Sequence, residues 1–214
     1  MIMENPGYPK SNGLGSLLSH GIISVNERLV HVGPFGVSIS SDMAESWAPA
    51  GLSGTDVRCV TNIDDTLFVG TNGQGIFKSV DWGDNWISLT NGVSSSNFRA
   101  IQSWGNTLFA GGQIGTGVFR STDFGDSWEL LNNGIASAAF RGFGYNDDLL
   151  VAGSTGSGVY YTVDNGDSWT DLNSGLSDLT IFDLEISENY IITATHSSGV
   201  FRYSLSNIFN TIDC

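Results

Sequence analysis

The chain has 214 residues, with 22 Asp or Glu against 8 Lys or Arg and a net charge of −14. Such a balance repels phosphate backbones, which argues against nucleic acid and anionic membranes as partners, and no apolar run reaches the length that would insert into a bilayer. Residues 1–10 lack the basic and apolar blocks of a signal peptide, and two cysteines, Cys59 and Cys214, are too few for a disulfide scaffold or a metal cluster.

In chain order, residues 7–12 read as one short outer strand, and Gly13-Leu14 after them matches a pair that ends each later unit: Gly51-Leu52, Gly92-Val93, Gly134-Ile135 and Gly175-Leu176. Five units follow, at 15–52, 53–93, 94–135, 136–176 and 177–206. Each has an apolar run near its start, a Leu-Phe-Val-Gly-like run and a Gly-Val-Phe run, and the first four add a Trp-x-x-Leu run. The runs are rich in Val, Ile, Phe, Tyr and Thr and bounded by Gly, Asn, Asp and Ser, which is the signature of strands rather than helices. Four units carry a variant of S/T-x-D-x-G-x-x-W: Ser40, Asp42 and Trp47, with Ala44 in place of Gly; then Ser79, Asp81, Gly83 and Trp86; Ser121, Asp123, Gly125 and Trp128; Thr162, Asp164, Gly166 and Trp169.

Four strands repeated about every 41 residues predict an all-β, five-bladed propeller of four-stranded antiparallel blades, forming one domain. The fifth unit lacks a Trp-bearing strand. The N-terminal strand is expected to supply it, closing the ring and removing an open edge. Two alternatives remain at this point: residues 207–212 supply that strand, or the chain is a fragment of a longer propeller that closes by oligomerising. A closed ring implies a monomer.

These units resemble the Asp-box, or BNR, repeats of sialidases, sortilin-type receptor ectodomains, xyloglucan-degrading enzymes and the photosystem II assembly factor, over roughly residues 18–204. The resemblance implies the fold and, because many such proteins are exported, a secreted or periplasmic location. It leaves function open among hydrolase, receptor and assembly factor. The Asp of each box is expected to accept backbone N–H groups of its own turn, the Gly to allow positive φ, and the Trp to bury its ring, so these repeated residues are read as structural.

Aligned, the innermost strands begin at His20, Arg58, Arg99, Arg141 and Asp183, so three of the six arginines recur at one position. The loops between second and third strands, expected on the same face, carry Gln74, Gln113 and His196. Converging guanidiniums in an acidic protein suit a carboxylate, from a sialic or uronic acid or a peptide. The alternative is that each Arg ties one blade to the next. A non-catalytic propeller binding a glycan or a protein segment at this face is the first expectation. A sialidase-like hydrolase of acidic sugars, or an assembly or scaffold factor, is the alternative. Sialidase resemblance would require a Phe/Tyr-Arg-Ile-Pro motif and a Tyr-Glu pair. Phe98-Arg99-Ala100 and Phe140-Arg141-Gly142 lack the Pro, and Glu185 with Tyr190 is explained equally by a hairpin, so no catalytic residue is assigned. Asp56, Asp178 and Asp183 remain as carboxylates for acid/base work. Trp82, Phe124 and Trp104 stand at turns as either exposed contact residues or local packing. His20 and His31 lack metal spacing, and Asp64-Asp65 and Asp147-Asp148 read as solvated turns, so neither metal nor cofactor is expected.

Overall fold

The apolar runs become strands that pair only with their chain neighbours. In a computed structural model that describes residues 11–209 except 16, 114 and 132, the first blade is β1 (Gly21–Val25), β2 (Arg28–Gly33), β3 (Gly36–Ser40) and β4 (Ala48–Pro49). The second is β5 (Val57–Ile63), β6 (Thr66–Thr71), β7 (Ile76–Ser79) and β8 (Ile87–Leu89), and the third β9 (Phe98–Trp104), β10 (Thr107–Gly112), β11 (Val118–Ser121) and β12 (Glu129–Leu131). The fourth is β13 (Ala139–Tyr145), β14 (Leu150–Thr155), β15 (Val159–Thr162) and β16 (Thr170–Asp171). The fifth has β17 (Ile181–Ile186), β18 (Tyr190–Thr195) and β19 (Val200–Ser204), followed by α1 (Ser206–Phe209). Every pairing is antiparallel and sequential within its blade, the arrangement of an all-β five-bladed propeller. No helix among the described residues is long and apolar enough to cross a membrane.

Blade-to-blade packing follows from the two-residue period of the second strand, whose alternate side chains serve opposite neighbours. Leu67 and Val69 of β6 pack toward the first blade with Val30 and Val32, while Phe68 between them packs toward the third with Phe98 and Leu108. Phe109 of β10 does the same toward Phe140 and Trp169. In the second, third and fourth blades the glycine near the end of this run completes the fit. A Cβ on Gly70 would lie 2.8 Å from Cβ of Phe98, one on Gly111 2.7 Å from Cβ of Phe140, and one on Gly153 2.7 Å from Cγ2 of Ile181. Each of these glycines is therefore the seat of a large buried residue on the inner strand of the next blade.

Buried apolar clusters span the first and second, second and third, third and fourth, and fourth and fifth blades. Between the fifth and first blades the described residues form no such cluster, and Ile22, Ile192 and Val200 are exposed there. Residues 12–13 nonetheless make the contacts that a preceding blade makes elsewhere. The Trp47 N–H donates to the Asn12 carbonyl at 2.8 Å, as Trp128 does to Asn91 and Trp169 to Asn133, both at 3.0 Å. Gly13, Gly92 and Gly134 each lie so close to the carbonyl of that same Trp that a Cβ would collide with it. Residues 12–13 thus sit where an outer strand of a preceding blade would end. The strand expected at 7–12 falls mainly outside the described residues. Residues 206–209, in contrast, form a helical turn rather than a fourth strand, because Ile208 is drawn into the cluster shared by the fourth and fifth blades.

The four S/T-x-D turns are built alike. Asp42, Asp81, Asp123 and Asp164 each accept a backbone N–H four residues on, at 2.9 Å, and a side chain of the same residue: Ser46, Asn85, Ser127 and Ser168. Ser40, Ser79, Ser121 and Thr162 donate to the same carboxylates. Two successive residues take positive φ, for example Trp82 at 59° and Gly83 at 93°. Ala44 tolerates 71° where the others have Gly. Trp47, Trp128 and Trp169 are buried, and Trp86 is half-buried with its Nε1 donating to the Ala50 carbonyl.

Two outcomes are expected. Gly111→Ala should cost about 1–3 kcal/mol by overpacking against Phe140, while Gly15→Ala, which meets nothing within 4 Å, should leave the unfolding midpoint unchanged in denaturant titration. The hydrogen bonds from Ser46 and Ser127 hold Asp42 and Asp123 at about 2, below the ordinary 3.8. The Asn85 side chain and backbone likewise lower Asp81, and at Asp164 the Ser168 bonds outweigh a burial that pushes the other way. A carboxylate with a depressed folded pKa stabilises the fold above its unfolded value and loses that contribution as protons bind. Thermal stability should therefore drop steeply as pH falls from about 4 to about 2, and a Asp42→Asn/Asp123→Asn variant measured by scanning calorimetry should show a shallower drop.

Candidate functional site

Each inner strand of the second to fifth blades opens with a one-residue bulge against the second strand. The bulged residue is Arg58 in β5, Arg99 in β9, Arg141 in β13 and Phe182 in β17. A bulge leaves its residue unpaired and re-aims the side chain, and here it turns all four toward the axis. Together with His20 they line one axial cavity of about 190 Å³, one side chain from each blade. Below it lies a space of about 220 Å³ bounded by β1, β5, β9 and β13. There Cys59 stands with its thiol pushed up to about 12 by burial.

The five positions are not equivalent in their bonding. Arg58 donates from Nε and Nη2 to Oδ2 of Asp56 at 2.9 and 2.6 Å, and His20 Nε2 lies 3.1 Å from Asp56 Oδ1. Asn72 donates to the same carboxylate at 3.1 Å. Burial pushes the Asp56 carboxyl up, but the bonds from Arg58 and Asn72 and the neighbouring positive charge outweigh it and hold it below the usual carboxylate range. Arg141 donates from Nε to Thr155 Oγ1 at 2.8 Å, with its guanidinium 5.3 Å from the Phe182 ring centre. Arg99 has no hydrogen-bond or ion-pair partner among the described residues. Burial, then the charges of Arg141 and Arg58, lower its pKa, and Asp56 offsets this only in part.

That shift is a statement about electrostatics rather than titration. A guanidinium does not lose its proton near neutrality, so Arg99 stays charged between two like charges. A bound anion would offset this repulsion. Enclosing walls of lower dielectric focus the field of these charges.

The sequence-predicted residues divide accordingly. His20, Arg58, Arg99 and Arg141 converge on the cavity. Asp183 does not line it: the bulge puts Phe182 at the arginine position, and Asp183 Oδ1 instead accepts the Leu184 N–H at 3.0 Å. His196 stands beside the cavity with its ring edge on Phe182, centres 5.2 Å apart. Gln74 and Gln113 lie in the loops but outside the cavity wall. Gln74 accepts from Thr55 Oγ1 at 3.4 Å, and the Gln113 backbone N–H donates to the Asn97 carbonyl at 3.1 Å. Phe182 and Thr155 were missed because neither repeats a chemical type, and only the bulge register identifies the former. Asp178 is engaged by Ser197, whose hydroxyl and N–H both lie 2.7 Å away, and these bonds, with Thr180, keep it ionised below the ordinary range. The Tyr190 ring lies under Arg202, and Glu185 accepts from the Ile186 N–H, so neither lines the axial cavity. Trp104 is committed to packing, its Nε1 donating to the Asn146 carbonyl of the next blade at 2.8 Å.

No protein-family description matches the chain, and no curated protein is similar in sequence. Solved structures share the fold. One described as YCF48 bound to D1 peptide superposes with a TM-score of 0.65 at 16% identity, covering 92% of this chain and 70% of that one. An ancestral GH74 enzyme gives 0.69 at 15% identity over 86% of this chain and 30% of the other. PorZ, a bacterial surface component of the type-IX secretion system of Porphyromonas gingivalis, gives 0.67 at 19% identity, over 90% and 25%. The chain thus spans less than a third of the length of the last two. At such identities the likeness is one of fold: a β-propeller, here with a cationic axial cavity.

The differing bonds of the arginines predict opposite effects on stability. Replacing Arg58 with Ala strips Asp56 of its main partner and should lower the thermal midpoint. Arg99→Met removes repulsion and no bond, so it should leave the midpoint unchanged or raise it in the same melting experiment.

Proposed function

We propose that the protein is a non-catalytic binding propeller whose axial cavity takes the carboxylate of an acidic partner, a protein segment in preference to a glycan. The observation that carries this is Arg99: a charged, partnerless guanidinium between Arg58 and Arg141, in a cavity open enough for a small anionic group. Asp56 presets Arg58 and His20, and Thr155 with Phe182 presets Arg141. Little side-chain freedom is then lost when the anion arrives. The similar structure solved with a peptide supports the choice of a protein segment. The likeness to Asp-box repeat proteins and to a bacterial surface component is consistent with an exported protein, which is the location we propose.

A synthetic peptide with a free C-terminal carboxylate, its C-terminal amide, sialic acid and glucuronic acid form the test set, with affinity read by isothermal titration calorimetry. The free-acid peptide should bind, weakening as salt rises. The amide, or Arg99→Ala, should bind roughly tenfold to a hundredfold more weakly, the loss of one charge-assisted hydrogen bond of about 1.5–3 kcal/mol. Equal affinity of acid and amide, or of wild type and Arg99→Ala, would reject the site. Tighter binding of the sugars would replace peptide with glycan, and turnover of fluorogenic sialosides or uronides would show that the propeller is catalytic.

A further inference from the structure

A second site stands at the opposite end of the strands, in the seam between the first and second blades. Its ligand chemistry can be read from the neighbouring seams. In the second-to-third seam Lys78 of β7 reaches across to the Asp-bearing turn of the next blade. Its Nζ lies 3.2 Å from the Phe124 carbonyl and 2.5 Å from Asp126 Oδ1. In the third-to-fourth seam Arg120 of β11 does the same, with Nη1 2.6 Å from both the Asn165 carbonyl and Asp167 Oδ1. A carbonyl and a carboxylate three and five positions after the turn's Ser or Thr thus form a cation socket, filled from the third strand of the preceding blade.

In the first-to-second seam the socket is present and its cation is missing. Ile39 of β3 occupies the register position of Lys78 and Arg120, opposite Val30 as they are opposite Phe68 and Phe109. Among the described residues no hydrogen bond reaches the Trp82 carbonyl, and the Asp84 carboxylate has neither hydrogen bond nor ion pair. Arg28 does not substitute: its guanidinium lies 4.4 Å over the Trp82 ring and makes no ion pair with Asp84. The space left is a cavity of about 410 Å³, walled by Trp82, Ile39, Pro49 and the Arg28 side chain that stacks on Trp82, and bearing the carboxylates of Asp81 and Asp84.

We propose that this cavity binds a lysine or arginine side chain of a partner polypeptide, which completes the vacant socket as Lys78 and Arg120 complete theirs. The cationic head pairs with Asp84 and the Trp82 carbonyl. The aliphatic stem lies along Ile39, Pro49 and the indole edge, where a long charged side chain buries its methylenes. The strongly negative protein favours the approach of such a group.

The test follows the Trp82 indole N–H signal by two-dimensional NMR while acetyl-arginine amide, acetyl-lysine amide or the uncharged acetyl-norleucine amide is added. A saturable shift with the two cationic amides and none with norleucine amide is expected. Asp84→Asn should weaken the response at least tenfold. Ile39→Lys, which supplies an internal cation, should abolish it, while Asp126→Asn in the neighbouring seam should leave it unchanged. Absence of a saturable shift, an equal shift with norleucine amide, or a response kept in Asp84→Asn would overturn the site, as would one kept in a folded Ile39→Lys. Should Ile39→Lys fail to fold, Asp84→Asn decides alone.

Discussion

The packing of a large inner-strand residue onto a glycine of the preceding blade sets everything else in this molecule. Phe98 on Gly70, Phe140 on Gly111 and Ile181 on Gly153 bring successive sheets together at one spacing, because no side chain intervenes at the closest point. The residue after each of these three is the bulged one, so the contact that fixes the pitch also fixes where Arg99, Arg141 and Phe182 emerge. Convergence on the axis is a geometric consequence of blade packing. It needs no separate device to hold the arginines together against their mutual repulsion.

The same contact explains why one seam differs. Ala194 occupies the glycine position of the fifth blade, and Ser19 stands where Phe98, Phe140 and Ile181 stand in theirs. The first-to-second seam also lacks a seat glycine, with Val32 in that place, but Val32 and Val57 join one buried apolar cluster there, whereas Ala194 and Ser19 join none among the described residues. The burden of the fifth-to-first seam shifts to the Trp47 side, where Asn12 and Gly13 hold the first blade's turn with the contacts that Asn91-Gly92 and Asn133-Gly134 provide elsewhere. His31, facing that side and edge-on to Trp47, has its pKa lowered by burial and by the charge of His20, and its Nδ1 has no partner.

Much of this was legible in the sequence because it is local. The strands, the turns and the roles of Asp81, Gly83 or Trp128 depend on residues within a few positions of one another, and the period repeats them often enough to be unmistakable. The axial cluster was legible as a recurrence of Arg58, Arg99 and Arg141. What each arginine bonds to was not: Thr155 and Phe182 are brought in by pairing and by a neighbouring blade, and Asp56, though only two residues from Arg58, repeats in no other unit. The fifth-unit position was read one residue late, at Asp183, because a bulge is a property of register between two strands and leaves no mark in either alone. The alternative that 207–212 supply the missing strand meets a helical turn at Ser206–Phe209, as Ile208 finds burial against the fourth and fifth blades.

Repetition itself separates scaffold from site. A residue kept in every good copy, such as the turn Asp, answers a need that every such blade has. A residue whose partner differs from blade to blade answers a need of the whole ring. Arg58 is neutralised by Asp56, Arg141 is held by a hydroxyl and an aromatic face, and Arg99 between them is left bare. Were the three arginines only ties between blades, each would carry its own acceptor, as Lys78 and Arg120 do on the other face. The contrast between paired cations at the outer turns and an unpaired one at the axis, in a chain with so many carboxylates to spare, is the observation on which the proposed anion site rests.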